Sequence, residues 1–510
     1  MIRRIGIAGL LAVGATQAAQ PQSRPVKRAA ATITAADVKR RIFLIADDSM
    51  GGRNTPSPGL SKTANYIASE FQRFGLQPGG DSGSYLLNYT ISSKRILAAR
   101  STLRFGNGTA GVTTTLAEGG ALVSGSSDAT ARGGIVLIGG AIVADSLTPE
   151  EVRDRIVVYV PAPNPQQGPS GAPGVLQRLR RLGARAVVLV VSSDSVLAAY
   201  QRRQSRPQTT VGDMVRSAPI LAIRDSVVIA QVPEAAGQFA QLRGAPIAIV
   251  QAATDWEGEI AIRDTTLAIE YVPNVVGILE GSDPVLKQEY VVFSAHMDHI
   301  GTTGQPGAQC GAMGADSVCN GADDDGSGTV GVVELAEAFS RKGARPKRSM
   351  IFLTVSGEEQ GLWGSDWFVE HPPVPLPQIV ADLNADMIGR NWKDTIVAIG
   401  KEHSDLGSTL NRVNAEHPEL NMVAIDDRWP QESFYTRSDH YNFARKGVPI
   451  LFFFNGVHAD YHRPSDSPDK IDAEKESRIL KLLFYVGQEV GNAPARPKWV
   501  PESYKLIVTP

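Results

Sequence analysis

What the 510 residues lack narrows the possibilities first. No mature segment approaches the ~18 uninterrupted apolar residues of a membrane span, so none is expected. Neither sign of charge dominates: 51 Lys and Arg stand against 53 Asp and Glu, a formal net charge of −2. Without a strongly basic domain, no nucleic-acid partner is expected. Arg178, Arg180 and Arg181 read as the solvated face of one helix. Cysteine is nearly absent, with only Cys310 and Cys319. Internal repeats and low-complexity tracts are missing too, which leaves an ordinary globular composition.

At this length one core is not enough, so two or more domains are expected. Arg3 and Arg4, the apolar run Ile5 to Val13 and the small residues Ala15, Ala18 and Ala19 have the layout of a secretory signal peptide, residues 1–19. That places the protein outside the cell or in the periplasm. Residues 20–33, rich in Pro, Ala and Arg, read as a linker. In an exported chain, Cys310 and Cys319 are expected to close one small disulfide loop. Two free thiols or a pair of metal ligands are the alternatives. Neighbouring His and Asp residues already offer harder donors.

Along the chain, Ser61 to Phe74 is a helical pattern with Ile67, Phe71 and Phe74 on its apolar face, ended by Gly75. Residues 115–254 change character. Short apolar runs at Gly134–Ile138, Ile156–Val160, Ala186–Val191 and Pro219–Ile223 are separated by Gly/Pro turns, with one helix at Val175–Leu182. This stretch holds no His and no Cys. It reads as a β-rich inserted domain, either gating substrate or purely structural. From Thr265 strands alternate with helices: Tyr290–Phe293, Met350–Val355, Thr395–Ile399, Pro449–Phe454, and a final helix through Ile479, Leu482, Leu483 and Val486. That rhythm indicates an α/β fold, a mostly parallel mixed sheet with helices on both faces. The division is then 34–114 and 255–492 for the main domain, 115–254 for the insertion and 493–510 for a tail.

The strand ends carry the chemistry. Tyr290–Phe293 runs into His296-Met297-Asp298. A Gly-rich loop with both cysteines then leads to Asp323, Asp324 and Asp325. Met350–Val355 runs into Glu358-Glu359, and another strand pattern ends at Asp386. His462 follows the last strand. Alone, each is ordinary: a lone carboxylate is usually solvated, and a lone histidine is usually a satisfied core or surface residue. Together they line one rim of one sheet, where α/β proteins place their sites. Imidazole with carboxylate suits a borderline divalent ion, zinc first.

In order and spacing these motifs resemble the co-catalytic di-zinc exopeptidases, the family of bacterial secreted aminopeptidases and glutamate carboxypeptidase. The matching stretches are His296-Met297-Asp298, Gly321 to Gly328, Glu358 to Ser365, Asp386-Met387 and Tyr461-His462. Ser57-Pro58-Gly59 and Phe74-Gly75-Leu76 match as well. The insertion resembles a protease-associated domain.

The resemblance implies two zinc ions per chain. Asp324 would bridge them. Glu359 and His462 would complete one ion's ligands, and His296 and Asp386 the other's. Glu358 would be the general base, and Asp298 would orient the His296 ring. Three anionic ligands against four positive charges leave a surplus that favours a bound hydroxide. Glu358 and Glu359, adjacent in extended backbone, would face opposite ways. Tyr435, three residues before Ser438-Asp439-His440, is expected to donate to the tetrahedral intermediate. A packed tyrosine is the alternative. His299 and His458 lie beside ligands and read as supporting residues. Arg437 would meet either a substrate carboxylate or a surface salt-bridge partner, and the specificity pocket would draw on Phe434, Trp363 or Phe452.

The activity implied is removal of amino-terminal residues from peptide substrates. The alternatives are a carboxypeptidase, a glutaminyl-cyclase-like acyl transferase and an inactive receptor-like binder. The sequence does not determine the oligomeric state.

Overall fold

The computed structural model describes residues 23–107, 113–140, 147–161, 168–212, 217–245 and 249–508. The signal-peptide stretch 1–19 lies outside them. Among the described residues no helix is long and apolar enough to cross a membrane. The chain divides into two compact units. Asn88–Val272 forms one, and the residues before Asn88 join those from Pro273 onward in the other. The chain leaves the larger unit within strand Leu86–Ile96 and returns to it within strand Asp264–Leu279.

The larger unit is built on a mixed sheet. Its strands run side by side in the order Val423–Ile425, Thr395–Ile399, Ile450–Phe453, Ile379–Ala385, Tyr290–His296, Ser349–Val355 and Asp264–Leu279. The four from Ile450–Phe453 to Ser349–Val355 are parallel. Those beside them, Thr395–Ile399 and Asp264–Leu279, are antiparallel. β-Branched and aromatic residues fill the central strands, which are buried along their length.

Alternation sends successive side chains to opposite faces. Val292, Ile351 and Leu353 pack with Phe368 and Phe443 of helices Trp363–Glu370 and His440–Ala444. On the other face Phe293 and Phe352 meet Phe339 of helix Gly326–Ser340, which in turn meets Phe484 of helix Ala473–Asn492. The fold is thus α/β with helices on both faces. Helix Gly326–Ser340 lies so close to the sheet that a Cβ on Gly328 would stand 2.1 Å from the Ala385 carbonyl oxygen. Only glycine permits that approach.

Local signals act as read. Helix Pro58–Phe74 begins on Ser57, whose side chain accepts the Leu60 N–H, and stops at Gly75 with φ 76°. The stretch 20–33, expected to be a linker, is helical over Arg24–Ala30, with Ala29 and Ala30 buried. Alanine's high helix propensity and Pro25 in the first turn favour this. Nor is the end of the chain a bare tail. Pro501–Ile507 is a helix, and Trp499 and Ile507 pack on the core.

The second unit is Asn88–Val272, wider than the 115–254 expected from composition. Strands Ala129–Gly140, Ile156–Pro161, Ala186–Val191 and Ile220–Arg224 are parallel neighbours. Alternate residues build two cores, Val158, Val188 and Leu221 in one and Val157, Val187 and Ala222 in the other. Helices Gly168–Arg181, Asp194–Gln204, Asp225–Gln231 and Ala235–Gly244 belong to it too. The unit is therefore more helical than a β-rich reading allows, because parallel strands need crossover connections.

Candidate metal centre

The four parallel strands of the larger unit end along one edge, and the titratable residues gather there. His296 closes strand Tyr290–His296. Its Nε2 lies 3.4 Å from Asp324 Oδ1 and 3.7 Å from Asp386 Oδ2. His462 Nε2 lies 3.2 Å from Asp324 Oδ2 and 3.2 Å from Glu359 Oε2. The two oxygens of Asp324 thus face two different imidazoles. Donors about 2.0–2.2 Å from a tetrahedral zinc sit roughly 3.3–3.5 Å from one another. The observed separations suit ligand atoms sharing a cation better than hydrogen-bonded pairs. Asp324 Oδ2 and His462 Nε2 are buried with no hydrogen bond among the described residues. The donor set therefore fits zinc.

The three consecutive aspartates do different work. Asp323 Oδ1 accepts the Gly389 N–H at 2.6 Å and the Ser327 hydroxyl at 3.0 Å, and its Oδ2 lies 3.2 Å from His458 Nε2. Asp325 accepts backbone N–H groups from Gly328, His296 and Met387 at 2.8, 3.2 and 3.2 Å. Only Asp324 directs both oxygens at imidazoles. One atom each from His296, Asp325 and Asp386 falls within 4.8 Å of the others, and the same holds for His299, Asp324 and Glu359. Asp325 is nonetheless engaged by amides. His299 Nδ1 holds Glu359 Oε1 at 2.8 Å, backing that carboxylate while its other oxygen faces His462.

A ring of partners orients these groups. His296 Nδ1 is 3.2 Å from the Asp298 carbonyl oxygen and 3.8 Å from its carboxylate. Asp298 accepts from the Thr55 hydroxyl at 3.0 Å and the Glu358 N–H at 3.3 Å. Burial pushes its carboxyl up to about 6. Ser438 donates to Asp386 at 2.9 Å. Asp466 accepts the Asp323 and Asp324 N–H groups. Arg53, fully buried, donates to the carbonyls of Met297, Ile45, Asn320 and Gly321. Thr55, Ser438, Asp466 and Arg53 escape sequence reasoning, since no local pattern marks a residue that acts across the fold. The bonded pair Cys310–Cys319 closes the neighbouring loop. Just before that loop Gln309 donates to the Glu359 carbonyl at 3.1 Å.

Glu358 and Glu359 sit in a turn rather than in extended backbone, with the Gly361 and Leu362 N–H groups both bonding the Glu358 carbonyl. Both side chains reach the pocket. The Glu358 carboxylate has no hydrogen bond or ion pair among the described residues. Burial, then the charges of Glu359, Asp439 and Asp386, holds it well above the usual carboxylate range, against the pull of His296. Burial alone would lower His296, but Glu358, Asp386 and Asp324 more than reverse it. His462 rises to about 10 for the same reason, with Asp324 and Glu359 outweighing burial. A field that binds protons so strongly offers the same attraction to a dication.

The pocket over this cluster is lined by apolar Met387, Phe434, Phe452, Phe454 and Val457, with Tyr461 and Arg437. Phe434 and Phe452 are where the sequence suggested; Trp363 is not among the lining residues. Tyr435 lies apart from the pocket lining. Its ring packs against His403 and His440, with centroids at 4.6 and 5.6 Å, and it does not line the pocket. Its turn, Phe434–Thr436, sends Phe434 to the pocket instead. Tyr461 does line the pocket and stacks on His462 at 3.9 Å. Its place directly before a ligand-type histidine was the available signal.

Residues 274–487 match the sequence model of Peptidase family M28. The matched span contains every ligand-type residue named above. A probable leucine aminopeptidase of Arthroderma otae is 26% identical over 229 residues, 43% of this chain and 58% of that protein. A probable zinc metalloprotease of Pyricularia oryzae is 35% identical over 269 residues, 44% of this chain and 50% of that protein. Aminopeptidase YwaD of Bacillus subtilis is 26% identical over 195 residues, 36% and 41% respectively. The chain thus spans 58% or less of the length of each of these three relatives. Among solved structures, an aminopeptidase from Aneurinibacillus sp. strain AM-1 aligns over 92% of this chain and 97% of that one, with 16% identity and a TM-score of 0.46.

Proposed function

We propose that the M28 segment is a zinc-dependent aminopeptidase that hydrolyses the first peptide bond of peptides with a free amino terminus. One observation carries the reading: Asp324 directs one oxygen to His296 and the other to His462, as a carboxylate shared by two cations does. His296 and Asp386 would hold one ion, and Glu359 and His462 the other. Zinc ions held there supply positive charge that polarises a carbonyl and acidifies water. Glu358 does the proton work. With its carboxylate unengaged, it takes a proton from the attacking water. As the C–N bond breaks, it returns that proton to the leaving amine. Tyr461, beside His462 in the pocket, donates a hydrogen bond to the carbonyl oxygen, which gains negative charge as its carbon becomes tetrahedral. The matched relatives named as aminopeptidases support amino-terminal specificity over the carboxypeptidase, cyclase and receptor alternatives. Export by the 1–19 segment belongs to the same reading.

The test is a panel of free and amino-blocked peptides with product masses mapped, run beside Glu358→Gln. Release only from free starts is expected. Glu358→Gln should fall at least about 10³-fold in kcat while retaining zinc. Cleavage of blocked peptides, or substantial turnover by the variant, refutes the assignment.

A further inference from the structure

Most of the charged groups lining the pocket are acidic: Asp324, Glu358, Glu359 and Asp386. Among the described residues, Arg437 is the only basic residue lining it apart from the histidine His296. Its guanidinium lies 4.7 Å from the centre of the Phe434 ring, which also lines the pocket. Beyond that ring its side chain has no hydrogen bond or ion pair among the described residues. Three other arginines of this unit meet carboxylates. Arg390 meets Asp460 at 3.0 Å, Arg348 meets Glu289 at 2.7 Å and Arg412 meets Glu489 at 2.6 Å. Stacking by the face leaves the edge donors of a guanidinium open, and that edge matches a carboxylate in two-pronged fashion. The backbone here is fixed. The Arg437 N–H bonds the Phe434 carbonyl at 3.0 Å, and the next residue, Ser438, donates to Asp386.

We propose that Arg437 recognises a carboxylate on the substrate residue that follows the cleaved bond, while the Phe434, Phe452, Phe454 and Val457 wall receives an apolar first side chain. This rests on the aminopeptidase reading and names its substrate class: short peptides with an apolar start and an acidic group one residue on. Two sources share that chemistry, the free carboxyl terminus of a dipeptide and an acidic second side chain. Arg437 is a specificity residue here and takes no part in proton transfer.

The experiment compares Leu-Gly, Leu-Gly amide and Leu-Asp amide as substrates of the zinc-loaded full chain, its Arg437→Ala variant and its Arg437→Lys variant. For the parent enzyme we expect kcat/KM about fivefold higher for one carboxylate-bearing substrate than for Leu-Gly amide, carried by KM. This is the scale of a partly solvated charge-assisted contact. The ratio should fall to near one in Arg437→Ala, recover partly in Arg437→Lys and shrink as salt is raised. Preference for Leu-Gly identifies the terminal carboxylate, and preference for Leu-Asp amide the side chain. Equal values for all three in the parent, or a ratio untouched by Arg437→Ala, overturn the proposal and leave the aminopeptidase reading standing. Failure of the parent to cleave any of the three overturns both.

Discussion

The two units are variations on one plan, parallel strands joined by helices, yet among the described residues only one gathers reactive groups. In the larger unit the central strands end in His296, Asp386 and the Glu358-Glu359 turn. In Asn88–Val272, strand Ile220–Arg224 also runs straight into an aspartate, Asp225, but that residue opens a helix and meets Arg243 at 2.9 Å. Asp194 likewise begins a helix three residues after Val191. A carboxylate after a strand is by default a helix-starting residue, favoured by the dipole and the free N–H groups. It joins a site only where several strand ends bring acid and imidazole to one place. All eight histidines lie at or beyond His296, so the smaller unit has nothing to pair with its acids in that way.

That contrast can be broken at its strongest point first. Asp324→Asn should cost at least about 10³-fold in activity and lower zinc per chain, measured by metal analysis, because one neutral amide cannot hold two dications together. Full zinc content would remove the shared-carboxylate idea. Next in size is a pair of tyrosines. Tyr461→Phe is expected to reduce kcat by about 10²-fold. Tyr435→Phe, whose ring faces His403, should change kcat less than about threefold by comparison; a larger loss in the second variant would give the donor role to Tyr435. Smaller again, Asp298→Asn should weaken zinc binding by about 10–100-fold in a chelator titration, through loss of the group that fixes the His296 ring. The least effect belongs to the other unit. Asp225→Ala should cost no more than about 1 kcal/mol in denaturant unfolding and leave turnover alone. A loss of activity there would show that the units are less independent chemically than their strand ends suggest.

Much of this was legible from residue order. β-Branched runs such as Ala186–Val191 and Thr395–Ile399 coincide with strands, because buried parallel strands need continuous apolar sequence. His296, Asp324, Glu359, Asp386 and His462 stand out by type and position after such runs. Other features were hidden for identifiable reasons. The Asn88–Val272 boundaries fall inside strands Leu86–Ile96 and Asp264–Leu279, where composition does not change. Arg24–Ala30 looked like a linker because its helix depends on burying Ala29 and Ala30. Tyr435 and Tyr461 are equal candidates by type, and only the turn at Phe434–Thr436 sends one ring away.

Residue order by itself determined which groups could carry charge to the sheet edge, since hydrophobic periodicity sets where strands stop and which residue comes next. It could not determine which groups meet. Thr55 reaching Asp298 across 243 positions, Asp466 receiving the amides of Asp323 and Asp324, and Arg437 left facing the pocket without a carboxylate are products of packing. Such contacts depend on distances between elements far apart in the chain, and those are decided only when the whole core closes.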